Sequence, residues 1–106
     1  MLLQIDKDIA QKFKNKVETI ISIIDFKVFG SRARGDASNE SDLDVFIEVE
    51  NITPIQRQKI SEIAFDIGFE MDRVITTFVA TRKQIEEGPL GANPIMIEIE
   101  NEGIRL

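Results

Sequence analysis

Apolar positions recur at helical steps in the first quarter of the chain. Ile9, Phe13, Val17, Ile20 and Ile24 stand three or four residues apart, with Lys12, Lys14, Lys16 and Glu18 between them. This spacing predicts an amphipathic helix over residues 6–24, capped by Asp6, with the lysines on a solvated face. The period then shortens. Phe26-Lys27-Val28-Phe29 reads as a short strand ended by Gly30, and residues 30–41 (GSRARGDASNES) are polar and punctuated by glycine. Residues 43–49 (LDVFIEV) alternate as a second strand, with Leu43, Val45, Ile47 and Val49 on one face and Asp42, Asp44, Phe46 and Glu48 on the other.

Thr53-Pro54 opens a further helix: Thr caps it, Pro takes the first helical position, and Gln56 completes a capping box. Ile55, Ile60, Ile63, Ala64 and Ile67 form its buried stripe, and Gly68 is placed to close it. Residues 73–79 (RVITTFV) are rich in β-branched side chains and predict a third strand. Thr81 and Gln84 form a second capping box, starting a short helix that stops at Gly88-Pro89. The segment after Asn93-Pro94 carries two signals. Ile95, Ile97 and Ile99 alternate like a strand, while Asn-Pro and Gly103 bracket a helix, and the bracketing favours helix. The order α-β-loop-β-α-β-α-α predicts an α/β (α+β) fold, a small mixed β-sheet packed with helices. The polar loop and both aspartates then share one end of the sheet.

The chain has 106 residues, which suits one domain over 1–106, with 42% hydrophobic and 30% charged residues, an ordinary globular balance. There is no Cys and no His. Thiolate chemistry, imidazole bases and Cys/His metal sites are therefore excluded, leaving a hard cation held by oxygens and proton transfer by carboxylate, Lys or water. The formal net charge is −6, which disfavours binding to a phosphate backbone, so nucleic acid is not an expected partner. No apolar run approaches the roughly 20 residues needed to span a bilayer. Asp6 and Asp8 lie where a signal peptide would be apolar, and the expected location is cytoplasmic. Ile104 and Leu106 near the carboxyl end can pack internally or across a homo-oligomer contact.

The chemistry concentrates between residues 30 and 44. A glycine directly after a strand permits a tight turn and close approach of a bulky ligand. A short helix beginning at Ser31 would aim free N–H groups and a hydroxyl at anionic oxygens. Arg32 and Arg34 add two guanidinium groups, one of which could reach a phosphate. Asp42 and Asp44 are two apart on a strand, so their carboxylates share a face at roughly 7 Å between Cα atoms. Two such charges repel unless a cation lies between them, and carboxylates with phosphate oxygens are a ligand set that suits Mg²⁺.

Gly30-Ser31-Arg32-Ala33-Arg34-Gly35, five further residues, then Ser41-Asp42-Leu43-Asp44 resembles the signature of the minimal nucleotidyltransferases, the MNT group of the polymerase-β-like superfamily. The resemblance extends over essentially the whole chain. It implies a palm-like nucleotidyltransferase fold, Mg²⁺ held by Asp42 and Asp44, and nucleotide contacts from Gly30, Ser31, Arg34 and Ser41. The implied reaction is transfer of a nucleoside monophosphate, AMP from ATP, with release of pyrophosphate. The family adds a third carboxylate from the next strand, where this chain has Ile75, Thr76 and Thr77; Asp72 is the nearest catalytic candidate and Glu70 the next. Such transferases pair with small helical HEPN-type proteins, acting as antitoxins by capping or adenylylating the partner, which implies a partner protein as acceptor. The absence of an evident third acid keeps open an alternative, a weakly active or inactive nucleotide-binding antitoxin that acts by binding. With no Tyr in the chain, self-modification on tyrosine is excluded.

Overall fold

The computed structural model describes residues 2–106. The elements are α1 (Gln4–Val17), β1 (Asp25–Phe29), α2 (Gly30–Arg34), β2 (Leu43–Val49), α3 (Pro54–Met71), β3 (Ile75–Thr81), α4 (Arg82–Glu87), α5 (Pro94–Glu102) and β4 (Ile104–Arg105), with a 3-10 turn at Pro89–Ala92. The four strands lie in the order β3-β2-β1-β4. β1 pairs antiparallel with both β2 and β4, and β2 pairs parallel with β3. The parallel pair needs a crossover, which α3 supplies. This is the small mixed sheet packed with helices that the residue pattern predicts.

Strand alternation divides the interior in two. Leu43, Val45, Ile47 and Val49 of β2 join Phe26 and Val28 of β1 against α1 and α3, through Ile9, Phe13, Val17, Ile60, Ala64 and Ile67. On the opposite face Phe46, Phe29 and Ala80 pack against Met96 and Ile99 of α5. Asp44 and Thr76 project from this second face, because they share strand parity with Phe46 and Phe78. Burying Phe29 and Phe46 under α5 therefore fixes the side to which the acidic residue of β2 points.

Several boundaries differ from the pattern. α1 ends at Val17, not at residue 24. Its last turn tightens through bonds from Thr19 N to the Lys16 carbonyl and from Ile20 N to the Val17 carbonyl, while the Thr19 hydroxyl donates to Lys16 O at 2.6 Å. Ile20 still packs on the core, from a turn, so the apolar rhythm outlasts the helix. Asp6 is not the cap. Leu3 holds that position, and Asp6 is buried inside the first turn. Ile55 is 67% exposed and lies off the buried stripe of α3. Gly68 does not end that helix, which runs on to Met71 and closes at Asp72 in the left-handed region (φ 55°). A Cβ at Gly68 would strike the Arg73 carbonyl, so this glycine admits the returning backbone. β3 accordingly starts at Ile75, two residues later than the run of β-branched residues.

Both capping boxes form. Gln56 N donates to Thr53 Oγ1 and Gln84 N to Thr81 Oγ1, each at 3.1 Å, with the reciprocal glutamine contacts at 2.9 Å. The segment from Asn93 is helical: the Asn93 side chain accepts from Ile95 N at 3.0 Å and Gly103 is the C-cap. Ile104 forms β4 beside β1, and with Leu106 it packs on the larger core, so this tail is satisfied within the chain.

Candidate active site

The turn from β1 into α2 is built around Gly30, which has φ +75°. Register places Asp44 directly opposite Phe29, and a Cβ at position 30 would collide with the Asp44 carboxylate. Backbone handedness calls for glycine here, and any side chain would also push aside the acidic group lying over it. α2 runs for five residues, and Gly35 closes it with φ +86° and an N–H bonded to the Ser31 carbonyl at 2.9 Å. The Ser31 hydroxyl has no protein partner among the described residues.

Asp42 immediately precedes β2 and is exposed; Asp44 lies within the strand and is half-buried. Asp44 pairs in register with Thr76 on β3, and the Thr76 hydroxyl donates to Asp42 Oδ2 at 3.2 Å. Thr76 thus occupies the place on the neighbouring strand where a third acid would face the pair. Burial pushes the Asp44 carboxyl above the usual carboxylate range, and the charges of Asp42 and Glu98 push it the same way, with Arg34 partly opposing them. The pair is a local excess of negative charge in partly desolvated surroundings.

That donor set fits a hard divalent cation. Two carboxylates with phosphate oxygens and water suit Mg²⁺, which seldom relies on a cage made wholly of protein. No group of three or more acidic side chains able to hold a metal gathers among the described residues. Asp72 stays apart from the pair: as the left-handed residue closing α3, it lines a groove on the other side of the sheet with Phe65 and Phe69. Glu70, also on α3, is bound to Lys12 of α1.

The two arginines have different fates. Arg34 is partly exposed and donates to Asp36 at 3.2 Å and to Glu98 and Glu102 of α5 at 3.1 Å each. These acids raise its pKa, chiefly through the bonds to Glu102 and Asp36. Arg32 is buried at 3% exposure. Its Nε donates to the Ser41 carbonyl at 2.8 Å and its Nη2 to the carbonyls of Ser38 and Asn39 at 3.2 and 3.3 Å. Its Nη1 meets both carboxylate oxygens of Asp6 at 3.3 and 3.0 Å. Every guanidinium donor is used, so Arg32 is withdrawn from any ligand and instead holds the loop leading to Asp42. Arg73 is a second cation on Asp6, its Nε donating to Oδ1 at 3.2 Å. Sequence reasoning assigned Asp6 to a cap and missed this network. Its one available signal was an acid three residues before Ile9 on the apolar side of α1. Ser41, expected at the nucleotide, contributes its carbonyl to Arg32 and accepts from Ser38 N with its hydroxyl at 2.9 Å.

Comparison with known proteins identifies the family. Residues 8–106 match the nucleotidyltransferase domain family. A candidate protein adenylyltransferase of Methanocaldococcus jannaschii is 31% identical over 107 aligned residues, spanning 100% of this chain and 95% of that protein. Among solved structures, a toxin–antitoxin with AMP-PNP superposes with a TM-score of 0.60 at 16% identity, covering 90% of this chain and 70% of the other. A nucleotidyltransferase-like protein from Sulfolobus solfataricus gives 0.53 at 16% identity, covering 92% and 76%. A variant of the toxin–antitoxin MntA-HpeT gives 0.58 at 17% identity, covering 91% and 70%. The structural likenesses are likenesses of fold, while the sequence match extends over nearly the whole chain. The chain belongs to the nucleotidyltransferase domain family, and it is a nucleotidyltransferase.

Proposed function

We propose that the chain transfers AMP from Mg²⁺-bound ATP to a hydroxyl on a partner protein, as the antitoxin-like member of a pair with a HEPN-type protein. The observation that carries this reading is the packing of Asp44 over Gly30 with Asp42 beside it, which sets two carboxylates against a turn open to phosphates. The relative designated a protein adenylyltransferase supports the nucleotide and the class of acceptor. The toxin–antitoxin structures support a protein partner.

In this reading Asp42 and Asp44 would hold Mg²⁺, which would supply charge neutralisation at the phosphates. Gly30 lets the Asp44 carboxylate lie over the turn, and Ser31 offers its hydroxyl to a phosphate oxygen. Arg34 can exchange a bond to Glu98 or Glu102 for one to the triphosphate. The acceptor oxygen bonds to the α-phosphorus as the α–β phosphoanhydride bond breaks. Pyrophosphate departs with the electron pair, and the hydroxyl proton passes to solvent. Catalysis by positioning and electrostatics is the expected mode for phosphoryl chemistry of this kind.

Incubating the chain with labelled ATP, Mg²⁺ and the protein encoded beside it tests the proposal. Label should pass to that protein, and Asp42→Ala with Asp44→Ala should abolish transfer while leaving the fold intact. Transfer undiminished in the double variant would refute it. Thr76 at the third-acid position favours one second reading, an antitoxin that binds nucleotide and neutralises its partner without modifying it. In that case the double variant still neutralises the partner.

A further inference from the structure

The most exposed aromatic surface of the molecule lies away from the carboxylate pair. Phe65 and Phe69, one turn apart on α3, are 72% and 83% exposed, and their rings stack at 6.4 Å between centroids with planes 20° apart. Val74, 64% exposed, lies beside them, and together they line a groove of about 620 Å³ between α3, the start of β3 and residues 39–41. The core does not need these rings, since Ala64, Ile67 and Gly68 already face inward. A ring pair at this spacing adds only modestly to a helix, whereas exposed clustered aromatics mark contact surfaces.

The rim is acidic. Asp72 and Glu40 line the groove at the end nearer the loop, and Glu62 and Asp66 lie beside the aromatic pair on α3, outside the lining. None of the four forms an ion pair among the described residues. The adjacent cation, Arg73, is committed to Asp6 and to the Asp72 carbonyl. A second copy of this chain, itself at −6, would bring like charges onto this rim, and a nucleic acid would be repelled by it. The surface fits an apolar segment with basic flanks. Its far wall, Asn39 to Ser41, is the segment that leads into Asp42, so an occupant would touch the loop that carries the carboxylates from the opposite side of the sheet.

We propose that this groove docks a basic amphipathic helix of the acceptor protein, apolar residues over Phe65 and Phe69 and Lys or Arg against the four carboxylates. This rests on the reading that the acceptor is a protein, but its test measures binding and not transfer. The probe is a synthetic helical peptide of about five turns, with leucines on one face and lysines on the other, titrated against the full chain by fluorescence anisotropy. Binding should weaken with added salt. It should fall about tenfold or more in Phe65→Ser with Phe69→Ser and in Glu62→Lys with Asp66→Lys, variants whose exposed positions leave thermal melting unchanged. Glu87→Lys with Glu100→Lys, away from the groove, should bind as the parent does, and so should Asp42→Ala with Asp44→Ala. A peptide of the same apolar face with glutamates for lysines should not bind. Equal affinity across all variants, or no binding, overturns the proposal. So does sedimentation showing a parent dimer that Phe65→Ser with Phe69→Ser disperses, since a second copy would then be the occupant. Peptide binding retained in a chain that never transfers label would sink the enzymatic reading alone.

Discussion

The Asp44 carboxylate occupies the space into which any side chain at Gly30 would grow. The metal-binding candidate and the phosphate-turn candidate are thus a single packed unit, formed where β1 lies opposite β2. Gly30→Ala must meet both a positive φ and this carboxylate. It should lose about 1–3 kcal/mol of stability and displace Asp44. Denaturant unfolding and calorimetry with Mg²⁺ and a nonhydrolysable ATP analogue would read the two effects. A variant that unfolds and binds like the parent refutes the coupling.

Asp44 also gives the fold a pH signature. Burial, with help from Asp42 and Glu98, raises its pKa above the ordinary 3.8. The native state therefore binds this proton more tightly than the unfolded chain. Its contribution to stability is complete below pH 3.8 and fades as pH rises through the native value. Asp44→Asn, which removes the charge permanently, should melt higher than the parent at pH 7, with the gap closing toward pH 3.8. Added Mg²⁺ should raise the parent's melting temperature at pH 7 and leave the variant's nearly unmoved. Identical melting at every pH contradicts the account.

Asp6 and Arg32 form a buried ion pair at 3.0 Å with exposures of 1% and 3%. Asp6→Ala leaves a buried guanidinium without its counter-charge, held by the carbonyls of Ser38, Asn39 and Ser41 alone, and also deprives Arg73 of its acid. The expected loss is about 3–5 kcal/mol, measurable by urea unfolding. Asp6→Ala with Arg32→Met should recover part of that stability, because an apolar replacement of both charges is tolerated better than an orphan. Its loop at 38–41 should remain loose and its nucleotide binding weak. A loss below about 1 kcal/mol in the single variant would show that the pair is not buried in solution.

Thr76 and Asp72 separate two sources for a third carboxylate. Thr76 meets Asp42 and stands opposite Asp44, whereas Asp72 lies across the sheet. Thr76→Asp should raise the transfer rate by about 10²-fold, the lower range for a positioned acid–base group. It should also lower metal-free stability through added repulsion. Asp72→Asn, able to keep the left-handed backbone, should transfer label at the parent's rate. The reverse pattern would return the catalytic role to Asp72.

Local chemistry made much of this fold legible. β2 falls over 43–49 as alternation requires, because Leu43, Val45, Ile47 and Val49 are wholly buried on one face while Asp44 and Glu48 stay partly exposed on the other. Thr53 with Gln56, and Thr81 with Gln84, announce helix starts through bonds that close within four residues. What stayed hidden was long-range. Ile20 keeps the helical rhythm of α1 although it lies in a turn, since a core accepts apolar groups from any backbone. Gly68 resembles a helix stop and is a contact with the backbone at Arg73. Asp6, Arg32 and Arg73 come from three separated segments, and no local spacing links them. In the site, Gly30, Asp42 and Asp44 were readable as one group because β1 and β2 are consecutive and antiparallel. The missing third acid was legible as Ile75, Thr76 and Thr77, but that Thr76 is the one facing the pair needed the parallel register of β3.

Arg32 lends the site a property that no single contact displays. Five bonds from one guanidinium tie residues 38, 39 and 41 to α1 before any ligand arrives. The approach to Asp42 is therefore shaped during folding, and under the proposed function the nucleotide would meet a finished receptor. Binding then forfeits little chain entropy to order this loop, leaving more of the contact energy available to hold the phosphates in line for attack.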